Sequence, residues 1–390
     1  GTHFARAYER ANGTLVPGEV NGEQGSLIPA SIRDDQDRVV ANIWGPAPFD
    51  GSVLFDLITS SPDWDDTVLF DTKPTLAATP VSYAPSAIAM VLPARMGWPG
   101  LVALWFGRVA NLAVYLALVA LAVHVATAFR WTLAIAALFP MNLGIAASLS
   151  PDGLTIGAFL LVVAVWTRVW NPPCPADGDE QTGRFARARN RSVTPKGTAT
   201  MVLASGLLLA LTKPPYCGIL LAFPALLVLR CRDRRVQAAS VAGVVALAVG
   251  GLAIAASSGS YQGASVAFGD PIAYQPDVQR ERLLSDPLGF LGRCLGNWFS
   301  ELGSTVQRWV RNVGYWETQL PAWVPWVAVI ALVVAAMVLD RHDLLRLRGF
   351  ARVIFGAAAL GMVLGVALLD DLLSGREPEA SSTAGEFEPI

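Results

Sequence analysis

The sequence predicts an all-α polytopic membrane protein with about eight membrane segments, an external N-terminal region and a second external loop. Three observations predict this class. Hydrophobic residues make up 53% of the 390 residues, charged residues make up 15%, and the mean hydropathy is +0.45, whereas soluble proteins carry roughly 25% charged residues. Apolar runs long enough to cross a bilayer recur along the chain. Short arginine-rich loops separate some of these runs.

The same composition excludes several classes of protein. The chain has too much apolar surface for a long disordered protein. Its net charge is −2, so no overall positive field recruits nucleic acid, and no nucleic-acid partner is expected. The sequence contains no P-loop, His-Glu-x-x-His, nucleophile-elbow or kinase motif. The cysteines show no metal-ligand spacing, and no disulfide is expected between them; they are Cys174, Cys217, Cys231 and Cys294.

Residues 1–100 form an acidic region, with twelve acidic and six basic residues. A polar helix is predicted over Thr2–Ala11, and Gly- and Pro-rich turns follow it. Pro85–Trp98 is predicted to be an interfacial helix that leads into the first span. The sequence begins at Gly1 rather than Met, and we expect a further segment upstream.

A bilayer core about 30 Å thick requires about 20 apolar residues in a helix. Six runs meet this requirement: Val109–Phe129, Trp131–Leu149, Gly153–Trp170, Val236–Ala256, Trp323–Leu339 and Phe350–Leu369. Thr198–Leu229 is a further apolar stretch, interrupted by Lys213-Pro214-Pro215-Tyr216. Each proline lacks an N–H and clashes with the preceding turn. This stretch is therefore predicted to form two short helices that meet at a polar elbow.

These segments divide the chain into five parts. Residues 101–256 are predicted to hold six membrane segments, including the broken pair, and residues 323–369 the last two. Residues 257–322 form the second external region, in which Leu283–Val313 is amphipathic and is either an interfacial helix or a solvated cap. Residues 370–390 are too polar to pack and are predicted to be a disordered tail.

Basic residues in the short loops predict the orientation in the cell membrane. Three loops are rich in arginine: residues 168–196, residues 230–235 and residues 340–348. With eight segments, all three fall on one side, which is therefore assigned to the cytoplasm. Residues 1–100 and 257–322 then lie outside the cell.

Polar residues beside the spans are the candidates for a site, because ionisable groups at membrane depth are costly. Arg108, Asn111 and Tyr115 have i, i+3, i+7 spacing and share one helix face. Arg108 either extends to the lipid headgroups or binds a phosphate group with its guanidinium. Asp152 follows Ser150 and Pro151, so it either caps a helix or serves as a base or metal ligand.

Lys213 stands at the elbow of the broken pair. Irregular backbone at membrane depth is tolerated only inside protein or beside a wet cavity. Lys213 therefore has a functional role, extends to the membrane surface, or forms an ion pair, for which Asp152 is the candidate partner. The topology places Arg108, Asp152 and Lys213 on one side of the membrane. Two cations and one carboxylate at this interface favour a phosphate-headed lipid as ligand.

Several short motifs resemble a family of predicted bacterial membrane proteins that is common in actinobacteria, domain of unknown function 2142. They are His3-Phe4-Ala5-Arg6-Ala7-Tyr8, Ser82-Tyr83-Ala84-Pro85, Gly107-Arg108-Val109-Ala110-Asn111, Ser148-Leu149-Ser150-Pro151-Asp152-Gly153-Leu154-Thr155 and Thr212-Lys213-Pro214-Pro215-Tyr216. The last two motifs are the most specific. The C-terminal third of the chain adds little to the resemblance.

Such proteins are similar to GT-C-like membrane glycosyltransferases, which use polyprenyl-phosphate sugars at the outer membrane face. The resemblance implies an acidic pair just before the His-Phe motif, where this sequence has Gly1 and Thr2. The catalytic carboxylate is then Asp152 or one upstream of Gly1, and His3 is the other catalytic candidate. The resemblance also implies substrate contacts from a wider set of residues: Arg108, Asn111, Lys213, Tyr216, Tyr83 and Arg6.

The leading hypothesis is therefore a glycosyltransferase-like protein of the cell envelope. Its partners would be a lipid-linked sugar, membrane lipids and envelope-synthesis proteins. Its cofactor is undetermined, with a divalent metal as the candidate. One alternative is a transporter or flippase for a lipid-linked precursor, although no internal repeat supports it. Another is a non-catalytic membrane scaffold whose external regions serve as docking surfaces.

Overall fold

The computed structural model describes residues 2–14, 18–20, 23–44, 50–72, 78–170, 195–221, 234–257, 276–290 and 320–340, together with a few isolated positions. Most of these residues are helical. They form an N-terminal lobe (residues 2–95) and a helical bundle (residues 100–340). The predicted span Phe350–Leu369, the predicted tail and most of the arginine-rich loops fall outside the described residues.

The N-terminal lobe contains a sheet as well as helices. Its helices are α1 (Thr2–Ala11), α2 (Ala30–Trp44), α3 (Gly51–Thr59) and α4 (Ala84–Arg95), and a 3-10 turn covers Pro80–Tyr83. Its strands are β1 (Gly18–Val20), β2 (Glu23–Pro29) and β3 (Thr67–Asp71), paired antiparallel in the order β1-β2-β3. The prediction of an all-α chain is therefore wrong in this region. Strands this short, flanked by Gly and Pro, show almost no alternating pattern.

At one position of the sheet, β2 and β3 lie so close together that the residue must be glycine. A Cβ atom on Gly25 of β2 would lie 2.5 Å from the carbonyl oxygen of Phe70 in β3, so only glycine fits there. Helix α1 packs against β2 and α4. Between them, Phe4, Tyr8, Ile28 and Met90 belong to one buried apolar cluster, which anchors α1 inside the lobe.

Within the described part of the bundle, two helices are long and apolar enough to cross a membrane: α5 (Gly100–Val125) and the apolar part of α8 (Asp152–Trp170). Both run in the same direction. Asn111 contacts Ser148 just before α8, Gly157 packs against Leu118, and Arg168 reaches the carbonyl of Val125. The chain between α5 and α8 must therefore return along the bundle.

This return is broken, so the prediction of one continuous span over Trp131–Leu149 is wrong. The chain forms α6 (Arg130–Ala137) and then α7 (Pro140–Ala146). Phe139 has φ −57° and ψ 137°, the extended conformation that a following proline imposes. The Tyr115 hydroxyl donates to the Ala137 carbonyl at 2.6 Å, which satisfies one of the carbonyl groups left free at the break.

The predicted interruption at Lys213 is confirmed. Helix α9 (Pro195–Thr212) ends at Thr212, and a 3-10 helix covers Pro214–Leu221. The following helix, α10 (Arg234–Ser257), runs parallel to α9, with Leu203 against Gly243 and Leu247 beside Gly206. Gly251 of α10 sits where a Cβ would press on Cys217 and on the Pro214 carbonyl. The 3-10 helix after Lys213 therefore turns back between α9 and α10.

The last described elements are α11 (Pro276–Ser285) and α12 (Val324–Val334), which continues as a π-helical turn over Ala335–Leu339. Asp340 follows this turn and is 3% exposed. Its Oδ2 accepts from the Thr132 N–H at 2.9 Å and from the Thr132 hydroxyl at 2.7 Å. Asp340 thus caps the first turn of α6 from a distant part of the chain and joins α12 to the bundle.

The cap predicts a stability effect. Asp340→Ala should lower the midpoint of thermal unfolding in detergent, because the two Thr132 donors lose this acceptor, at a cost of about 1–2 kcal/mol. Asp340→Asn keeps an acceptor oxygen and should retain most of the stability. An unchanged midpoint in Asp340→Ala would contradict the capping role.

Candidate functional site

The most prominent charged contact of the bundle joins the elbow after α9 to the start of α8. Lys213 Nζ lies 2.8 Å from Asp152 Oδ1, and the two side chains are 30% and 42% exposed. The ion pair with Asp152, one of the alternatives predicted for Lys213, is present in the structure. The partial exposure leaves both groups accessible to a ligand.

Asp152 does not act as the helix cap, because Ser150 does. The Ser150 hydroxyl accepts from the Asp152 N–H at 3.2 Å, and the Ser150 N–H donates to the Ser148 hydroxyl at 3.0 Å. This local network starts α8 and leaves the Asp152 carboxylate to face Lys213. The positive end of the α8 dipole also favours a carboxylate at this position.

Hydroxyl groups of the lobe hold the end of α9. The Ser82 hydroxyl donates to the Thr212 carbonyl at 2.6 Å, and the Thr79 hydroxyl donates to the Leu211 carbonyl. These carbonyls have no helical partner, since α9 ends at Thr212. The Ser-Tyr-Ala-Pro and Thr-Lys-Pro-Pro-Tyr motifs, far apart in sequence, therefore meet here. Sequence reasoning named Tyr83 but missed Ser82, its neighbour in the same motif.

Tyr216 forms one side of the site. Its N–H donates to the Lys213 carbonyl at 3.1 Å. Lys213 Nζ lies 5.3 Å from the centre of the Tyr216 ring, within the range of a cation–π contact. The ring and Asp152 together fix the position of the ammonium group.

His3 and Tyr83 border the ion pair from the lobe. His3 Nδ1 and the Tyr83 hydroxyl are 3.0 Å apart. Burial lowers the pKa of His3 below 6.5, and Lys213 lowers it further, whereas Asp152 acts in the opposite direction. The 3-10 turn that carries Tyr83 contacts both α8 and α9, and the lowered pKa of His3 favours the neutral imidazole at neutral pH.

Arg108 and Asn111 support the turn before Asp152. Arg108 Nε donates to the Ala147 carbonyl at 2.7 Å, and the Asn111 amide donates to the Ser148 carbonyl at 2.8 Å. Both carbonyls follow the end of α7. The Arg108 guanidinium also lies 4.8 Å from the centre of the Trp105 ring. These two predicted substrate residues therefore hold the segment that positions Asp152.

Arg6 belongs to a different cluster, inside the lobe. It is 2% exposed, and its Nη1 lies 2.8 Å from Glu9 Oε2. The Ser26 hydroxyl donates to the same Glu9 oxygen at 2.8 Å. Burial lowers the pKa of the neighbouring Arg10, as does the charge of Arg6. Sequence reasoning missed Glu9, which the i, i+3 spacing from Arg6 could have indicated.

Among the described residues, no group of three or more His, Cys, Asp or Glu side chains could hold a metal ion. Asp152, already paired with Lys213, does not by itself provide the several oxygen ligands that a divalent cation requires. The described side chains therefore do not fit the divalent metal considered from the sequence.

A family model described as "Predicted membrane protein (DUF2142)" matches residues 1–372. The chain belongs to this family. The match establishes the DUF2142 chain as a membrane protein, and its apolar helices are consistent with insertion. No curated protein and no solved structure matches the chain.

A double-mutant cycle on Asp152 and Lys213 should show weak coupling. Because both side chains are partly exposed, Asp152→Asn, Lys213→Met and the double variant should give a coupling energy of about 0.2–1 kcal/mol in thermal unfolding. The buried Arg6–Glu9 pair offers a contrast. Glu9→Gln should lower the free energy of unfolding by about 3–5 kcal/mol, because it leaves the buried Arg6 charge uncompensated. Coupling of that larger size at Asp152 and Lys213 would mean that the pair is structural.

The lowered pKa of His3 predicts that the free energy of unfolding decreases at acidic pH. Between pH 6.5 and the lowered folded-state pKa, the unfolded chain binds a proton that the folded chain does not, so stability falls as the pH falls through this window. His3→Gln cannot titrate and should lose less stability between about pH 7.5 and about pH 5.5. Thermal unfolding at both pH values measures the difference, and equal losses in both proteins would contradict the prediction.

Proposed function

We propose that this DUF2142 protein is a cell-envelope glycosyltransferase that uses a polyprenyl-phosphate-linked sugar at the Asp152–Lys213 pair. The observation that carries the proposal is this partly exposed ion pair at the junction of a proline-broken helix and a helix N-terminus. A lysine and a carboxylate in contact can bind a phosphate and accept a proton within one site. The resemblance of such proteins to GT-C-like enzymes supports the same reaction class.

Lys213 is the proposed phosphate ligand. Its ammonium group carries three N–H donors and contacts Asp152 Oδ1 at 2.8 Å. Asp152 and the Tyr216 ring hold the group in place before a ligand arrives, so little side-chain freedom is lost on binding. Arg108, which donates to the Ala147 carbonyl in the segment before Asp152, is the second proposed cation for the phosphate.

Asp152 is the proposed general base. The acceptor hydroxyl gives its proton to the Asp152 carboxylate while its oxygen bonds to the anomeric carbon of the donor sugar. The bond between the anomeric carbon and the phosphate oxygen breaks, and its electron pair stays with the polyprenyl phosphate. Lys213 stabilises the negative charge that develops on this leaving group. His3 and Tyr83 would border the acceptor.

The proposed orientation places the pair at the outer face of the cell membrane. Arg168 lies at the far end of α8 from Asp152, and Asp340 caps α6 at that same far end. Both residues adjoin arginine-rich segments of the sequence, which favour the cytoplasm. The N-terminal lobe, which contacts the Asp152 end, would then lie outside.

Transfer measurements test the proposal. Full-length protein in membrane vesicles would be given polyprenyl-phosphate mannose, glucose or arabinose with a radioactive sugar, and incorporation into lipid or glycan would be counted. Lys213→Ala and Asp152→Asn should each reduce incorporation by at least 100-fold, and Arg108→Ala should also reduce it strongly.

A matched control removes a different exposed ion pair, which lies in the N-terminal lobe. Arg38 Nη2 and Asp56 Oδ2 are 3.4 Å apart, and both side chains are at least half exposed. Arg38→Ala and Asp56→Asn should leave incorporation unchanged. Unchanged incorporation in both Lys213→Ala and Arg108→Ala would remove the phosphate role of these residues.

The broken helix favours a second candidate, a transporter of a lipid-linked envelope precursor. Discontinuous helices at membrane depth are typical of transporter binding sites, and the break after Thr212 is of this kind. Liposomes that contain a fluorescent polyprenyl-phosphate sugar and no acceptor separate the two functions. Movement of the lipid across the bilayer without sugar transfer would support transport and contradict the enzyme.

A further inference from the structure

A cavity of about 650 Å³ lies in the N-terminal lobe, away from the ion pair. It opens between the C-terminal ends of α1 and α4 and the segment that leads into β3. Its lining combines aromatic, apolar and charged residues: Tyr8, Ala11, Asn12, Gly13, Trp64, Asp65, Thr67, Val91, Ala94 and Arg95. Its volume falls within the range of about 300–1,000 Å³ that is typical of small-ligand sites.

An aromatic pair forms one wall. The ring centres of Tyr8 and Trp64 are 5.4 Å apart, with 30° between the planes. Trp64 Nε1 is buried and has no hydrogen-bond partner among the described residues. A buried N–H without an acceptor is unfavourable.

Polar groups meet the aromatic wall. Burial raises the pKa of Tyr8, and the nearby side chains of Asn12 and Asp65 shift that pKa down and up respectively. Asp65 supplies acceptors, Asn12 supplies both donors and acceptors, and Arg95 supplies donors. Opposite them, Val91 and Ala94 of α4 provide an apolar wall.

This combination selects a class of ligand. A cation would meet Arg95, and an anion would meet Asp65, so a neutral ligand fits the cavity better than either. Its groups must both donate and accept, and one of its faces must pack on an aromatic ring. Sugars have both properties, since their hydroxyls form paired hydrogen bonds and their C–H faces pack on the ring of a tryptophan.

We propose that this cavity, the Trp64 cleft, binds a neutral carbohydrate chain. Binding itself does not depend on the proposed glycosyl transfer. The cleft and the ion pair are nevertheless joined by α1, in which Tyr8 follows His3 by five residues, about 8 Å along the helix axis. If the transferase proposal also holds, the chain in the cleft is the acceptor.

Binding of defined oligosaccharides tests the cleft. The full chain in lipid nanodiscs would be titrated with neutral linear tetrasaccharides of glucose, mannose, galactose and arabinose, with saturation-transfer NMR as the readout. At least one should bind. Trp64→Ala should weaken that binding at least tenfold, and Asp65→Asn should weaken it about threefold or more, the fold changes expected for lost stacking and a lost charged hydrogen bond.

Two variants control for folding and for general tryptophan effects. Trp64→Phe keeps a ring that packs on Tyr8 and should bind more tightly than Trp64→Ala. If Trp64→Ala unfolds early, Trp64→Phe and Asp65→Asn decide the matter. Trp131, on α6, is 58% exposed and far from the cleft, so Trp131→Ala should bind as the unsubstituted protein does.

Three results would overturn the proposal. The first is no binding of any tetrasaccharide, and the second is binding by the Trp64 and Asp65 variants as tight as that of the unsubstituted protein. The third is preferential binding of a tetramethylammonium probe. Lys213→Ala separates the two proposals, because it should lose sugar transfer but keep tetrasaccharide binding. Retained binding with no transfer by any protein would reject the transferase and leave the cleft supported.

Discussion

Two consecutive prolines after Lys213 impose the constraint on which the rest of the structure depends. They end α9 at Thr212 and leave backbone carbonyls without helical partners. In a membrane such groups must be satisfied by protein, because lipid offers no donors. The hydroxyls of Thr79 and Ser82 satisfy them. The same contacts attach the N-terminal lobe to the bundle and fix where the elbow lies.

The ion pair follows from this attachment. With the elbow held against the lobe, Lys213 faces the start of α8, where Ser150 has taken the capping role and left the Asp152 carboxylate available. Arg108 and Asn111 hold the turn before it. The polar residues of the site are therefore rigidly supported by hydrogen bonds to the backbone, while the pair itself remains partly exposed. Support of this kind is what a preorganised binding site requires.

The lobe and the bundle meet polar requirements differently. Inside the lobe, Arg6 and Ser26 both contact the Glu9 carboxylate in a buried cluster. In the bundle, polar side chains act mainly at helix ends, as Tyr115 does at Ala137 and Asp340 does at Thr132. Helix ends are where the bundle is short of hydrogen-bond partners, and breaks at Phe139 and Lys213 create more of them.

The sequence by itself determined the membrane class, the polar helix Thr2–Ala11, the interruption at Lys213 and the residues of the pair. Apolar length, proline and charge act locally, so these features are readable from the chain. Only the tertiary structure decided that Trp131–Leu149 is broken, that short strands form a sheet, and that Arg6 is internal while Lys213 contacts Asp152. Each of these features depends on which distant residues form hydrogen bonds with a backbone group or pair with a charged side chain. A local sequence pattern does not predict such distant contacts.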